Sequence, residues 1–113
     1  MRTYTGGCHC GAVRFTVELD LEQTVVCNCS HCGKKGFILS ATPKEKFTLE
    51  QGEEVLTDYF FNKKAIRHPF CSVCGVQAFS EGITYPGMMV NVRCLDGVDT
   101  DTLSPSHYNG KDV

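Results

Sequence analysis

Seven of the eight cysteines in this chain fall into three tight groups. Cys8 and Cys10 lie in GGCHCG, Cys27, Cys29 and Cys32 in VVCNCSHCGKKGF, and Cys71 and Cys74 in FCSVCG, while Cys94 stands alone. Thiolates two or three residues apart can turn back onto one ion. A glycine just after them can take the positive φ that aims backbone N–H groups at sulfur. Gly11 and Gly75 follow the two outer pairs in this way. Joined, Cys8, Cys10, Cys71 and Cys74 make a four-sulfur set of the kind that binds structural zinc. Closing the intervening loop costs roughly 3 to 4 kcal/mol plus a constant. Structural zinc supplies an apparent ~10 to 16 kcal/mol, so the metal outweighs the loop. Other partitions remain open at this point, among them Cys8 or Cys10 completing the middle group.

The middle group is one ligand short of a closed site. Cys27, Cys29 and Cys32 can hold a second zinc whose fourth position is left for water or substrate. Two residues compete for that position. His31 adjoins Cys32, a poor geometry unless the backbone turns sharply, and Cys94 reads as a buried free thiol on one strand face with Val90 and Val92. Three thiolates leave the site a formal charge of −1, which weakens zinc as a Lewis acid. Such a site favours thiol exchange and thiolate attack on an aldehyde over activation of water. It also makes this zinc the more labile of the two. Lys34 and Lys35 after the group, and Arg67 before Cys71, are candidate anchors for the carboxylates of a small thiol, against a plain reading as solvated basic surface. His68 is a candidate proton carrier or a structural hydrogen-bonder. His9 is expected to point away from the metal, Tyr59, Phe60 and Phe61 to be core, and Asn91 and Arg93 to share a strand face that lines a pocket.

The rest of the sequence limits the function classes. The chain has 113 residues, enough for one domain, residues 1–113, and is 42% hydrophobic with a net charge of −2. That charge, with no dense Lys/Arg tract, argues against a nucleic-acid partner. No apolar run approaches the roughly 20 residues of a membrane span, and MRTYTGGCHC has no apolar segment of a signal peptide. The expected setting is the reducing cytoplasm, where clustered thiols bind metal rather than pair as disulfides.

The elements that must position these residues read as strands. Residues 12–20, AVRFTVELD, alternate, with Val13, Phe15, Val17 and Leu19 on one face. TVVCN at 24–28 and GFILSAT at 36–42 are short strands, KFTLEQGEEVLTDYFF is two strands about a turn at Gln51–Gly52, and AIRHPFC and VQAFSEG flank the CxxC. MMVNVRCL at 88–95 alternates again. The only helical candidates are single turns at SHCGKK and PKEKF. The expectation is a mainly β domain with little helix and a polar, irregular or frayed tail over 98–113.

The order G-x-C-x-C-G, C-x-C-x-x-C, F-C-x-x-C-G resembles the family of glutathione-dependent formaldehyde-activating enzymes and centromere protein V (GFA/CENP-V). The matching stretches are YTGGCHCGAVRF, CNCSHCGKKGF, HPFCSVCGVQAF and VNVRCLDG, together about residues 4–97. CGKKGF, FCSVCGVQAF and NVRCLDG look closer to the centromere protein V branch, whose long N-terminal extension is absent from this sequence. The resemblance implies a zinc-stapled β-tent of short coiled β-sheets. It implies two zinc ions, a structural one on Cys8, Cys10, Cys71 and Cys74 and a labile one on Cys27, Cys29 and Cys32. Beside the second, glutathione and formaldehyde would combine to S-hydroxymethylglutathione, a carbon–sulfur lyase activity. Cys94 falls outside both sites. The alternative that the branch resemblance carries is a zinc-binding interaction module without turnover.

Overall fold

The alternating segment forms a strand whose inward residues are almost fully enclosed: Val13, Phe15, Val17 and Leu19 keep 1% or less of their surface. In the computed structural model, which describes residues 1–61 and 64–112, it is β2, Arg14–Leu19. Val113, the end of the expected tail, lies outside the described residues. β2 pairs antiparallel with β1, Arg2–Gly7, on one side and β5, Phe47–Gln51, on the other. This small sheet lays its apolar face on a larger one. Phe15 meets Phe47 and Phe79 at ring-centroid distances of 5.2 and 6.5 Å, and Val90, Val92, Ile38 and Cys71 complete the shared core.

The larger sheet contains β3 (Val25–Cys27), β4 (Leu39–Thr42), β6 (Leu56–Tyr59), β7 (Ile66–Cys71), β8 (Phe79–Gly82), β9 (Met88–Asn91) and β10 (Ser106–Tyr108). Its order is β10-β3-β4-β9-β8-β7-β6. All its pairings are antiparallel except that of β10 with β3. The architecture is mainly β and neither sheet closes on itself. Helix among the described residues is limited to α1, Ser30–Lys35, and single 3-10 turns, one of them at Lys44–Lys46. None is long and apolar enough to cross a membrane.

Three expectations are corrected by this architecture. The tail is not irregular throughout, because Ser106–Tyr108 joins the sheet as β10. Its signal is weak in sequence because the three residues are exposed and have no apolar face. Strand β9 ends at Asn91 and residues 92–94 form a 3-10 turn. Alternation therefore breaks after Asn91, and Arg93 and Cys94 do not follow a strand's face rule. Tyr59 and Phe60 are exposed, not core. β6 is the edge strand; its last residue, Tyr59, pairs with His68 there, and the two residues after it have left the strand.

Candidate metal centres

The first centre is built from two backbone knuckles on different sheets. After β1 the chain turns so that Gly11 N–H donates to the Cys8 carbonyl at 3.3 Å and Cys8 N–H to Val13 O at 3.1 Å. After β7 the pattern repeats: Gly75 N–H donates to Cys71 O at 2.7 Å and Cys71 N–H to Val76 O at 3.0 Å. Gly11 and Gly75 have φ of 84° and 83°, the left-handed region in which a side chain is strained. The knuckles bring the sulfurs of Cys8, Cys10, Cys71 and Cys74 within 4.8 Å of one another. Cys10 Sγ lies 3.6 Å from Cys8 Sγ and 3.7 Å from Cys71 Sγ. With Zn–S bonds of about 2.3 Å, a tetrahedron has S···S edges of about 3.8 Å, so these spacings fit zinc. Val13 N–H also donates to Cys8 Sγ at 3.3 Å, a bond that favours thiolate.

The thiol protonation pattern fits a cation as well. Cys74 is drawn down to about 6, first by the Val76 backbone N–H and then by that of Cys10. Cys10 receives the Ala12 backbone N–H, yet desolvation and its three thiol neighbours push it up to about 11. One proton leaves easily and the next is resisted, because like charges share one small volume. A divalent ion removes that conflict.

The second centre is local. Cys27 ends β3, Cys29 caps α1, and Cys32 lies within the helix. Cys29 N–H donates to Cys27 Sγ at 3.4 Å, and Cys32 N–H to Cys29 Sγ at 3.3 Å. Gly36, with φ 72°, ends the helix and donates its N–H to Cys32 O. The three sulfurs lie within 4.8 Å of one another, and no fourth His, Cys, Asp or Glu joins them among the described residues. All three cysteines are half-buried. Burial pushes the Cys32 thiol up, and Cys29 and Cys27 add to the effect. These donors also suit a soft cation such as zinc.

Beside this cluster a groove of about 510 Å³ is lined by Ser30, His31, Lys34, Lys35, Tyr59, Phe61 and Phe70. Ser30 and His31 lie between two of the cysteines in sequence, so the groove and the cluster share one short helix. The basic residues Lys34 and Lys35 occupy its last turn and are exposed, and Lys35 Nζ sits 5.9 Å from the centre of the Phe70 ring.

The other candidates separate into several roles. His31 does not join the sulfurs; its ring packs against His68, Phe61, Tyr59 and Phe37 at 4.4, 5.1, 5.7 and 5.9 Å. Its Nδ1 is buried with no hydrogen-bond partner. His68 is buried, with Nδ1 3.4 Å from both Gln77 Nε2 and Ser80 Oγ. Burial, then the charges of His31 and Lys35, lower His68 to about 4, so its ring is neutral at pH 7. Arg67 is no free anchor: it bonds Asp58 at 2.7 Å and Glu81 at 3.2 Å, with Glu53 at 3.9 Å. Asn91 and Arg93 are each engaged with the backbone. Asn91 Nδ2 donates to the Gln77 carbonyl, and Arg93 braces Gly36 O and Thr100 Oγ1. His9 is exposed and joins neither cluster. Cys94 also lies outside both clusters, half-buried, its thiol pushed up to about 11 by burial and by Cys8 and Cys74.

Sequence reasoning did not single out Ser30, Phe70, Gln77 or Ser80 for this site. A usable signal existed only for Gln77 and Ser80, polar residues inside an otherwise apolar strand segment. A family model described as glutathione-dependent formaldehyde-activating enzyme matches residues 3–109, past residue 97, and so includes β10. The fold is similar to the crystal structure of a Rhodobacter sphaeroides protein. That similarity has 31% identity and a TM-score of 0.85, over 92% of this chain and 99% of the other.

Proposed function

The chain belongs to the family of glutathione-dependent formaldehyde-activating enzymes, and we propose that it joins a small thiol to an aldehyde at the Cys27–Cys29–Cys32 cluster. The reading is a zinc-dependent enzyme of the carbon–sulfur lyase type, with glutathione and formaldehyde as its leading substrates and S-hydroxymethylglutathione as its product. One observation carries it: a three-thiol, half-exposed cluster borders a groove that combines two lysines with an aromatic wall.

In this reading Cys8, Cys10, Cys71 and Cys74 hold a structural zinc, and Cys27, Cys29 and Cys32 hold a second, labile one. Zinc held by these three cysteines would supply thiolate at neutral pH by lowering the pKa of a bound thiol. The chain's residues do the remainder. Lys34 and Lys35 meet the carboxylates of the thiol substrate by charge-assisted hydrogen bonds. Tyr59, Phe61 and Phe70 cover its aliphatic part and exclude water. His68, neutral at pH 7, adds no positive charge beside His31. The substrate sulfur forms a bond to the aldehyde carbon, the carbonyl π pair moves to oxygen, and that oxygen takes up the proton the thiol released. Chemistry that depends on seven clustered thiols suits the reducing cytoplasm.

The test is zinc content together with adduct formation. Protein purified from cells is expected to carry up to two zinc per chain and to accelerate the appearance of the hydroxymethyl resonance when glutathione and 13C-formaldehyde are mixed. Stoichiometric iron would overturn the metal assignment. Two zinc ions with no acceleration for any small thiol tried would overturn the enzyme reading in favour of a binding module similar to centromere protein V.

A further inference from the structure

The last residues of the described chain lie against the second cluster. β10 pairs in parallel with β3 so that Tyr108 stands opposite Cys27. Asn28, between Cys27 and Cys29, bonds this segment three times. Its Nδ2 donates to Asn109 Oδ1 at 2.9 Å, its Oδ1 accepts from Lys111 N–H at 3.1 Å, and its own N–H donates to Tyr108 O at 3.2 Å. Gly110 then passes so close that a Cβ there would collide with Cys27 Sγ and stand 3.2 Å from Cys29 Cβ. None of the residues lining the groove comes from this segment.

We propose that residues 106–112 form a strap that walls one face of the Cys27–Cys29–Cys32 site and sets how long that site keeps its metal. Asn28 is the latch and Gly110 the point of contact. The proposal rests on the reading that this cluster binds zinc. Its physical basis is local stability. Among the described residues the strap is held by one three-residue pairing, the Ser106 N–H bond to Thr24 O and the Asn28 bonds; its strand residues are exposed, and it adds nothing to the hydrophobic core. Such a segment opens at a small fraction of the cost of global unfolding. Latched, it fixes the backbone on both sides of Asn28, orients Cys27 and Cys29, and shuts out competing ligands. Lifted, it exposes the cluster from the side that does not face substrate. Metal exchange and substrate entry then use different doors, and Asn28 and Gly110 are positioning residues that act through the cysteines.

The experiment uses the full-length protein loaded with zinc and mixed with excess EDTA, with release followed in time. Wild type is expected to release one zinc equivalent quickly and the other slowly. In Asn28→Ala and Gly110→Ala the fast equivalent is expected to leave about tenfold faster, the factor that about 1.4 kcal/mol corresponds to. The slow equivalent and the melting temperature should stay unchanged. Asn28→Asp, which keeps the acceptor for Lys111 N–H, should fall between. With cobalt in place of zinc, Gly110→Ala should shift the sulfur-to-metal absorption of the weaker site alone. Wild-type release in both alanine variants overturns the strap while leaving the second metal site standing, and so does equal acceleration of both equivalents. A wild type that binds a single equivalent overturns the second metal site, and the strap's role with it, before any variant is made.

Discussion

The two cysteine clusters have the same side-chain chemistry and opposite positions in the fold. The four-sulfur cluster draws its cysteines from knuckles on the small and the large sheet, with Cys10 and Cys71 61 residues apart. Two of its members, Cys8 and Cys71, belong to the hydrophobic core. The three-sulfur cluster spans residues 27–32, is half-buried, and borders a groove on one side and the C-terminal strap on another. A metal in the first closes a long loop and holds two sheets together; a metal in the second constrains a segment that is already one turn. By loop entropy a metal in the first would be a matter of folding, and one in the second would be free to exchange.

Substitution of one ligand in each cluster breaks this comparison most directly. Cys71→Ser is expected to give unfolded or insoluble protein. Zinc contributes an apparent ~10 to 16 kcal/mol at a structural site, against a typical total stability of about 5 to 15 kcal/mol. A soluble variant with wild-type melting and undiminished zinc would show that the four-sulfur cluster is not structural. Cys29→Ser should keep the fold, with melting within a few degrees of wild type, while one zinc equivalent and the thiol–aldehyde activity disappear. If calorimetry shows both variants collapsing alike, the two clusters have the same role.

A smaller effect is expected in the groove. Reversing charge in Lys35→Glu should raise the Michaelis constant for glutathione about tenfold, the loss of one charge-assisted hydrogen bond of about 1.5 kcal/mol. The turnover number and zinc content should hardly move. A matching change for an uncharged thiol such as 2-mercaptoethanol would mean that Lys35 does not read the carboxylates.

The smallest effect concerns His68 and acid. Its folded value of about 4 lies below the ordinary 6.5, so between these values the unfolded chain takes up a proton that the folded chain refuses. Stability attached to the neutral ring is present above about 6.5 and is lost as pH falls toward about 4. His68→Gln should flatten the fall of melting temperature over that interval and leave pH 8 behaviour nearly unchanged. Equal slopes in wild type and variant would remove His68 from the acid response.

Much of the site was legible because the grouping of cysteine sulfurs depends on short-range spacing. CxC and CxxC with a following glycine fix local turns whatever the surroundings, and the structure brings together the groups those spacings marked. The strand over residues 14–19 was legible for a similar reason, since a sheet with one buried face imposes a period of two on its residues. Arg67 was not legible. It looks like a free cation next to a cysteine pair, but Asp58, Glu81 and Glu53 converge on it from three other places in the chain. Tyr59 and Phe61 read as core because they are aromatic, and only the position of β6 at the sheet's edge turns them into a groove wall.

By itself, then, the sequence determined the cysteine groups, their glycine turns, the short helix over SHCGKK and the mainly β character. Each depends on residue type within a few positions of chain. Tertiary structure alone decided that the strap lies against Cys27 and that His31 stacks in an aromatic nest rather than beside the three sulfurs. It also decided that Asn91 and Arg93 brace the backbone at Gln77 and Gly36. These outcomes depend on which strands become neighbours, and strand order is set by the packing of two whole sheets, which no local period encodes.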